Sequence, residues 1–400
     1  MNLVEKKNLL PFILVTSLFM LWGLANNMTD TLLSAFKKIM SMSDTQTSLI
    51  QFAFYGSYFC FALPAALYIR KYSFKAGVIL GLALYACGAI LFLPAAKAAS
   101  YAFYLIAIYI MAGGCSVLET TANPYILSMG SPETATRRLN AAQAFNPLGS
   151  IVGILLSRFF ILKDISLYSV SGTYASLGLV LVFIMIVMLF ARMPEGKDTD
   201  TGTSAAASFR RLARNRKYVF GLVAQFFYVG AQIGVWSFTI RIAMQELGIT
   251  EAEGATIYLL TIIGFSVSRF IYTWLMKFIS SVKLLLFSGV ASAVCAAFVA
   301  LSAGSGWFLV IALGLVSFFM SLMFPTIYGI ALGGISRSSH PEDSKIGASG
   351  LVMVILGGAL ITPLQALVSD AVNIYVSYFI PALCFVIVAA YAVFVLRSER

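Results

Sequence analysis

Two carboxylic acids stand inside otherwise apolar stretches of this 400-residue chain: Asp30 in LANNMTDTLL and Glu119 in GGCSVLETTANPY. An ionisable side chain in such a stretch is expensive unless it is neutral or paired. Two roles fit. Each acid can be held neutral by a neighbouring amide, or ion-paired, and lock helices together. Alternatively, it can carry a proton reversibly, because a carboxyl removed from water favours its neutral form and releases the proton when water returns. No other acid is placed as deeply. Asp370 falls near the end of its apolar segment, where a cap or a gate is as good a reading as chemistry.

Uncharged hydrogen-bonding residues gather around the two acids. Asn26 and Asn27 precede Asp30, and Thr120, Thr121 and Asn123 follow Glu119. The stretch RLNAAQAFNPLG supplies Asn140, Gln143 and Asn146. The last two are an i,i+3 step, which on a continuous helix points both the same way. The stretch AQFFYVGAQIGVW puts Gln225, Tyr228, Gln232 and Trp236 near one helical stripe. Any one of these amides can be glue between helices. As a set they suit a polar cavity. Carboxamides bind hydroxyl groups without burying charge, and a Trp or Tyr ring packs on the apolar face of a sugar. A cavity for an anion would need Lys or Arg at depth. Only Arg269 qualifies, and its place suggests structure or a cytoplasmic gate.

The elements that carry these residues follow from composition. The chain is 60% hydrophobic and 11% charged, where a soluble domain carries roughly 25% charge. A membrane-spanning helix needs about 20 apolar residues. The pattern predicts twelve spans, near 10–36, 46–69, 75–95, 101–129, 138–162, 171–193, 217–245, 254–276, 283–303, 306–333, 346–369 and 374–396. The first is too long for a cleavable signal peptide and is expected to persist. With the N-terminus inside, 20 of the 27 Lys and Arg fall on the cytoplasmic side and 6 outside. This bias places both termini in the cytoplasm. It also accounts for the net charge of +11 without nucleic acid.

One long polar stretch falls near the midpoint. The expected organisation is therefore an N-terminal six-helix bundle at 1–193, a cytoplasmic linker at 194–216 and a C-terminal six-helix bundle at 217–400. The halves resemble repeats. Asn123-Pro124-Tyr125 in the fourth segment matches Phe324-Pro325-Thr326 in the tenth, and YIRKYSFKAG matches WLMKFISSVK, each about half a chain apart. The repeat is imperfect where chemistry is concerned. The tenth segment has no acid to match Glu119, and GASGLVMVILGG in the eleventh is mostly apolar. Proton chemistry is thus expected in the N-terminal half. On this layout Asp30 lies nearer the periplasm and Glu119 nearer the cytoplasm.

Other chemistries find little support. Cys60, Cys87, Cys115, Cys295 and Cys384 sit in apolar runs without CxxC or Cys/His spacing, so neither disulfides nor a metal site is expected. The one histidine, His340, lies in a polar loop. No deep Ser/His or Cys/His pair, HExxH or phosphate loop points to an enzyme. Asn27-Met28-Thr29 fits a glycosylation pattern but lies within a span.

The stretches LANNMTDTLL, LIQFAFYGSYF, LETTANPY, RLNAAQAFN, AQFFYVGAQ, FPTIYGIAL and GGALITPLQALVSD, taken in order, resemble the fucose:proton symporter family of the major facilitator superfamily. The resemblance runs from the first segment to the last. It implies an all-α membrane protein of twelve helices in two six-helix halves, in the bacterial inner membrane. It implies proton-coupled import of L-fucose or a similar hexose by alternating access, with no cofactor beyond the coupling proton. The partners implied are the sugar, the proton and the lipid bilayer, and a monomer is expected. The family's essential carboxylates fall on Asp30 and Glu119, and its amides in the fifth helix on Gln143 and Asn146. The superfamily pattern Gly-x-x-x-Asp-Arg-x-Gly between the second and third helices reads here Ala66-Leu67-Tyr68-Ile69-Arg70-Lys71-Tyr72-Ser73, without the acid. Glucose or galactose as substrate, a facilitator, and sodium coupling remain the alternatives within transport.

Overall fold

The computed structural model describes residues 3–5, 8–41, 44–161, 166–193, 204–333, 335 and 343–398. His340 and linker residues 194–203 lie outside the described residues. Regular structure among the described residues is helical. Helix 1 is Leu9–Ile39 and helix 2 Asp44–Lys71. They are followed by helix 3 (Phe74–Lys97), helix 4 (Tyr101–Ser128), helix 5 (Pro132–Ile161) and helix 6 (Leu167–Phe190). After the linker come helix 7 (Arg216–Leu247), helix 8 (Glu251–Leu275) and helix 9 (Ser281–Leu301). Helix 10 (Trp307–Gly333), helix 11 (Asp343–Ala371) and helix 12 (Val376–Ser398) complete the chain. Among the described residues, eleven helices are long and apolar enough to cross a membrane, and Leu9–Ala25 of helix 1 adds a further apolar stretch.

Several helices start where a side chain can satisfy an orphan backbone N–H. Ser73 accepts from the N–H of Ala76, Ser166 from Ser169 and Asn215 from Tyr218. Thr250 and Glu253 form a reciprocal capping box at helix 8. Helix 7 ends on Gly248 at φ +65°, a conformation that suits a residue without Cβ.

Within the bilayer, helices pack through small residues that let backbones approach. A Cβ on Gly88 would collide with the backbone of Met111, and one on Gly114 with the backbone of Tyr85, so helices 3 and 4 are in near-backbone contact. Gly149 of helix 5 sits against the carbonyl of Met20 in helix 1 in the same way, whereas Gly172 of helix 6 faces open space. Gly149→Ala is therefore expected to cost about 1–3 kcal/mol. Gly172→Ala should be neutral or slightly stabilising, because Ala is the better helix former. Thermal denaturation of the purified detergent-solubilised variants checks this; equal stability of the two would rule out the close contact.

Two spans are interrupted just before a proline. Helix 5 consists of Ala135–Gln143 and Asn146–Leu156 with a break between them. Pro147 lacks the N–H that would bond to the Gln143 carbonyl four residues back. Helix 10 consists of Trp307–Met320 and Met323–Gly333. There Pro325 leaves the Ser321 carbonyl without its helical donor in the same way.

The chain forms two compact units. One contains Met1–Ala135, Leu148–Leu212 and Ile335–Met353; the other contains Thr136–Pro147, Ala213–Gly334 and Val354–Arg400. Each unit thus takes a short segment from the opposite half of the sequence. In the first unit, the start of helix 11 packs on helices 2 and 4. The Lys345 ammonium lies 5.0 Å from the centre of the Phe74 ring. Also in this unit, the linker helix Ala205–Arg214 is tied to helix 11. Arg211 donates from Nε and Nη2 to the two oxygens of Asp343, each at 2.6 Å, in the planar fork that suits a carboxylate.

Candidate substrate and proton site

Glu119 lies on helix 4 and is buried, within the first unit. Asn123, one turn further on, faces its carboxyl, and Cys115, one turn back, is buried beside it. Among the described residues no lysine or arginine pairs with it. The Tyr58 hydroxyl of helix 2 accepts a hydrogen bond from Trp22 Nε1 of helix 1 at 2.7 Å. An indole N–H can only donate, so the Tyr58 proton is free to point elsewhere. Cys115 and Glu119 are among its other neighbours. The Trp22–Tyr58 bond thus ties helix 1 to helix 2 in the neighbourhood of Glu119 on helix 4.

Helix 1 carries Asn26 and Asp30 in regular helical backbone, but their side chains lie outside the described residues. Asn27 is half-buried, and its amide donates back to the Gly23 carbonyl at 3.3 Å.

The second unit holds the remaining amides. Gln143 is buried and ends the first part of helix 5, while Asn146 begins the second part. The continuous helix expected between them is interrupted at Ala144 and Phe145, just before Pro147. Asn140, fully buried, bonds instead to Thr326 Oγ1 of helix 10 at 3.1 Å and to the Thr136 carbonyl at 2.9 Å. It acts as glue.

On helix 7, Gln225 is fully buried and has no hydrogen-bond partner for its amide among the described residues. Tyr228 is buried, with Phe324 and Arg269 as neighbours. Gln232 is half-buried. Trp236, also half-buried, donates to Ser317 Oγ at 3.3 Å and packs edge-on against Phe265.

Two further side chains of this unit are buried: Gln365, which the sequence does not single out, and Arg269, the deep cation expected in structure or a gate. Gln365 on helix 11 is fully buried without an amide partner among the described residues. Arg269 on helix 8 is buried as well, and it is held by carbonyls rather than by an acid. Its Nη1 donates to the Gln143 carbonyl and its Nε to the Ser321 carbonyl, both at 2.8 Å. The guanidinium lies 4.7 Å from the centre of the Phe265 ring. Trp22 and Tyr58 carry no signal in the sequence, since only folding brings residues 36 positions apart together. Among the described residues no cluster of three His, Cys, Asp or Glu forms a metal site.

A buried acid and buried amides are groups that can bind a proton and a neutral polar ligand, and known proteins show the family. Residues 13–341 match the Major Facilitator Superfamily. An L-fucose-proton symporter of Haemophilus influenzae is 42% identical, over 98% of this chain and 97% of its own length. A glucose/galactose transporter of Brucella abortus is 33% identical, over 94% and 92%. The solved structure of the Escherichia coli fucose:proton symporter superposes with a TM-score of 0.85 at 35% identity, covering 96% of this chain and 98% of that one. With a twelve-helix fold and near-complete similarity along its length, this chain belongs to the fucose:proton symporter family of the major facilitator superfamily, a family of transporters rather than enzymes.

Proposed function

We propose that this chain imports L-fucose together with protons, as a multi-pass protein of the bacterial inner membrane. The observation that carries this is the 42% identity to an L-fucose-proton symporter across almost the whole of both chains. The chemistry of Glu119 supports it. A carboxylate buried without a cation costs several kcal/mol, and taking up a proton removes that cost. A transporter that must bury the acid in one state and hydrate it in another thereby couples its movement to a proton.

In this reading Asp30 takes the proton from the outer side. The sugar is held by the amides Asn26, Asn27, Asn123, Gln143, Asn146, Gln225 and Gln232, with Tyr228 and Trp236 supplying ring contacts. Glu119 accepts from a sugar hydroxyl or shares the proton. Both termini and the linker 194–216 face the cytoplasm, and the halves 1–193 and 217–400 move to expose the sugar to either side in turn. The coupling ion is the proton, no cofactor takes part, and the unit of function is a monomer in the lipid bilayer.

A second reading, glucose or galactose as substrate, is favoured by the 33% identity to the Brucella transporter. A panel of hexoses added to sealed cells expressing the chain, with external pH recorded, separates the two. L-fucose should alkalinise the medium, and glucose and galactose should not. Alkalinisation by glucose or galactose alone would assign the substrate to the second reading. Sugar uptake without any pH change, or dependent on sodium, would overturn proton coupling.

A further inference from the structure

Arg269 is a buried cation beside Tyr228, and two of its donors go to backbone carbonyls whose identity is informative. The Gln143 oxygen is the one that Pro147 deprives of a helical donor, and the Ser321 oxygen is the one that Pro325 deprives. One planar guanidinium thus caps two proline-made gaps, in helix 5 and in helix 10, from a position on helix 8. An unmet carbonyl in an apolar span is costly. Arginine suits this task because its donors are fixed in one plane and it keeps its charge without an acid. Lysine, a single flexible ammonium, cannot reproduce that geometry.

We propose that Arg269 is a positioning residue for sugar recognition. By holding the Gln143 carbonyl it fixes the break in helix 5, and so sets where the Gln143 and Asn146 amides point. Those amides flank the break, one on each side. Without the cap the two helix pieces would be free to reorient, and the amides with them. The Ser321 bond ties this geometry to helix 10, where the Thr326 hydroxyl already meets Asn140 of helix 5. The proposal rests on the reading of Gln143 and Asn146 as sugar ligands.

The test uses the purified full-length protein and L-fucose titration by calorimetry, with thermal denaturation as a check of folding. Arg269→Lys is expected to weaken L-fucose binding roughly tenfold, the loss of a charge-assisted hydrogen bond. Pro147→Ala restores the N–H that the Gln143 carbonyl lacks. In that background Arg269→Lys should weaken binding less than about threefold. Rescue by a backbone donor is the outcome that a general structural role would not produce. Unchanged affinity in Arg269→Lys, or an undiminished loss in the Pro147→Ala background, would overturn the proposal. Gln143→Ala and Asn146→Ala separate its failure from that of the site. If neither alters affinity, the amides are not ligands and the positioning role falls with them. If they do alter it while Arg269→Lys does not, only the positioning role falls.

Discussion

Asp30→Asn is expected to abolish accumulation of sugar against a gradient while leaving sugar-for-sugar exchange across the membrane intact. Asparagine has the shape of the neutral acid but cannot ionise, so the carrier is fixed in the form that a proton would otherwise create. Such a carrier can still pass a loaded site from one face to the other, but nothing drives net movement. The loss is large. One charge crossing 100 mV yields about 2.3 kcal/mol, and each pH unit adds about 1.4 kcal/mol. One proton per sugar thus sustains a concentration ratio of a hundredfold or more. In the variant this ratio should fall to unity. Uptake of labelled L-fucose into vesicles with an imposed pH gradient, beside exchange in preloaded vesicles, measures both quantities. Accumulation at the level of the parent protein would exclude Asp30 from coupling.

Glu119→Gln should have a comparable effect on uphill uptake, with a distinct signature in binding. Glutamine preserves the length of the side chain and can still meet Asn123, one turn away. It therefore mimics the protonated acid without disturbing the packing of helix 4. If the sugar binds to the protonated form, L-fucose affinity of the parent should fall as pH rises and the acid loses its proton. Affinity of the variant should stay flat across the same range. Calorimetric titration at a series of pH values reads the difference directly. Parallel pH profiles for the two proteins, together with normal uptake, would reduce Glu119 to a structural residue.

The broad plan was legible because the bilayer imposes it. Apolar runs of spanning length, bounded by Lys, Arg, Pro and Ser, have no soluble alternative in a chain with so little charge. Glu119 stood out for the same reason, as an acid where acids are costly. The arrangement around it was not legible. Tyr58 and Trp22 look like ordinary aromatic residues of apolar helices; only folding joins them at 2.7 Å and brings Tyr58 near the acid. Gln143 and Asn146 show the opposite case. Their spacing suggests a continuous helix, but that helix is interrupted at Ala144 and Phe145, just before Pro147 of the same stretch. A proline at position i removes the donor for the carbonyl at i−4, so the gap itself was predictable; its filling by Arg269, 126 residues away, was not. Asn140 carried the same amide chemistry as its neighbours, yet it bonds to Thr326 and the backbone. Residue type distinguishes a ligand from glue poorly when both need the same donors.

The exchange of segments between the compact units has a consequence for how the gene can be divided. Thr136–Pro147 is encoded with the first six helices but packs in the second unit, and Ile335–Met353 is encoded with the last six but packs in the first. Neither half of the coding sequence therefore specifies a complete unit. A fragment ending in the linker would lack the start of helix 11 that covers helices 2 and 4, and its counterpart would lack the strip bearing Asn140 and Gln143. Fragments made alone should be short-lived, whereas the same two fragments made together should protect each other from proteolysis and assemble into a working permease.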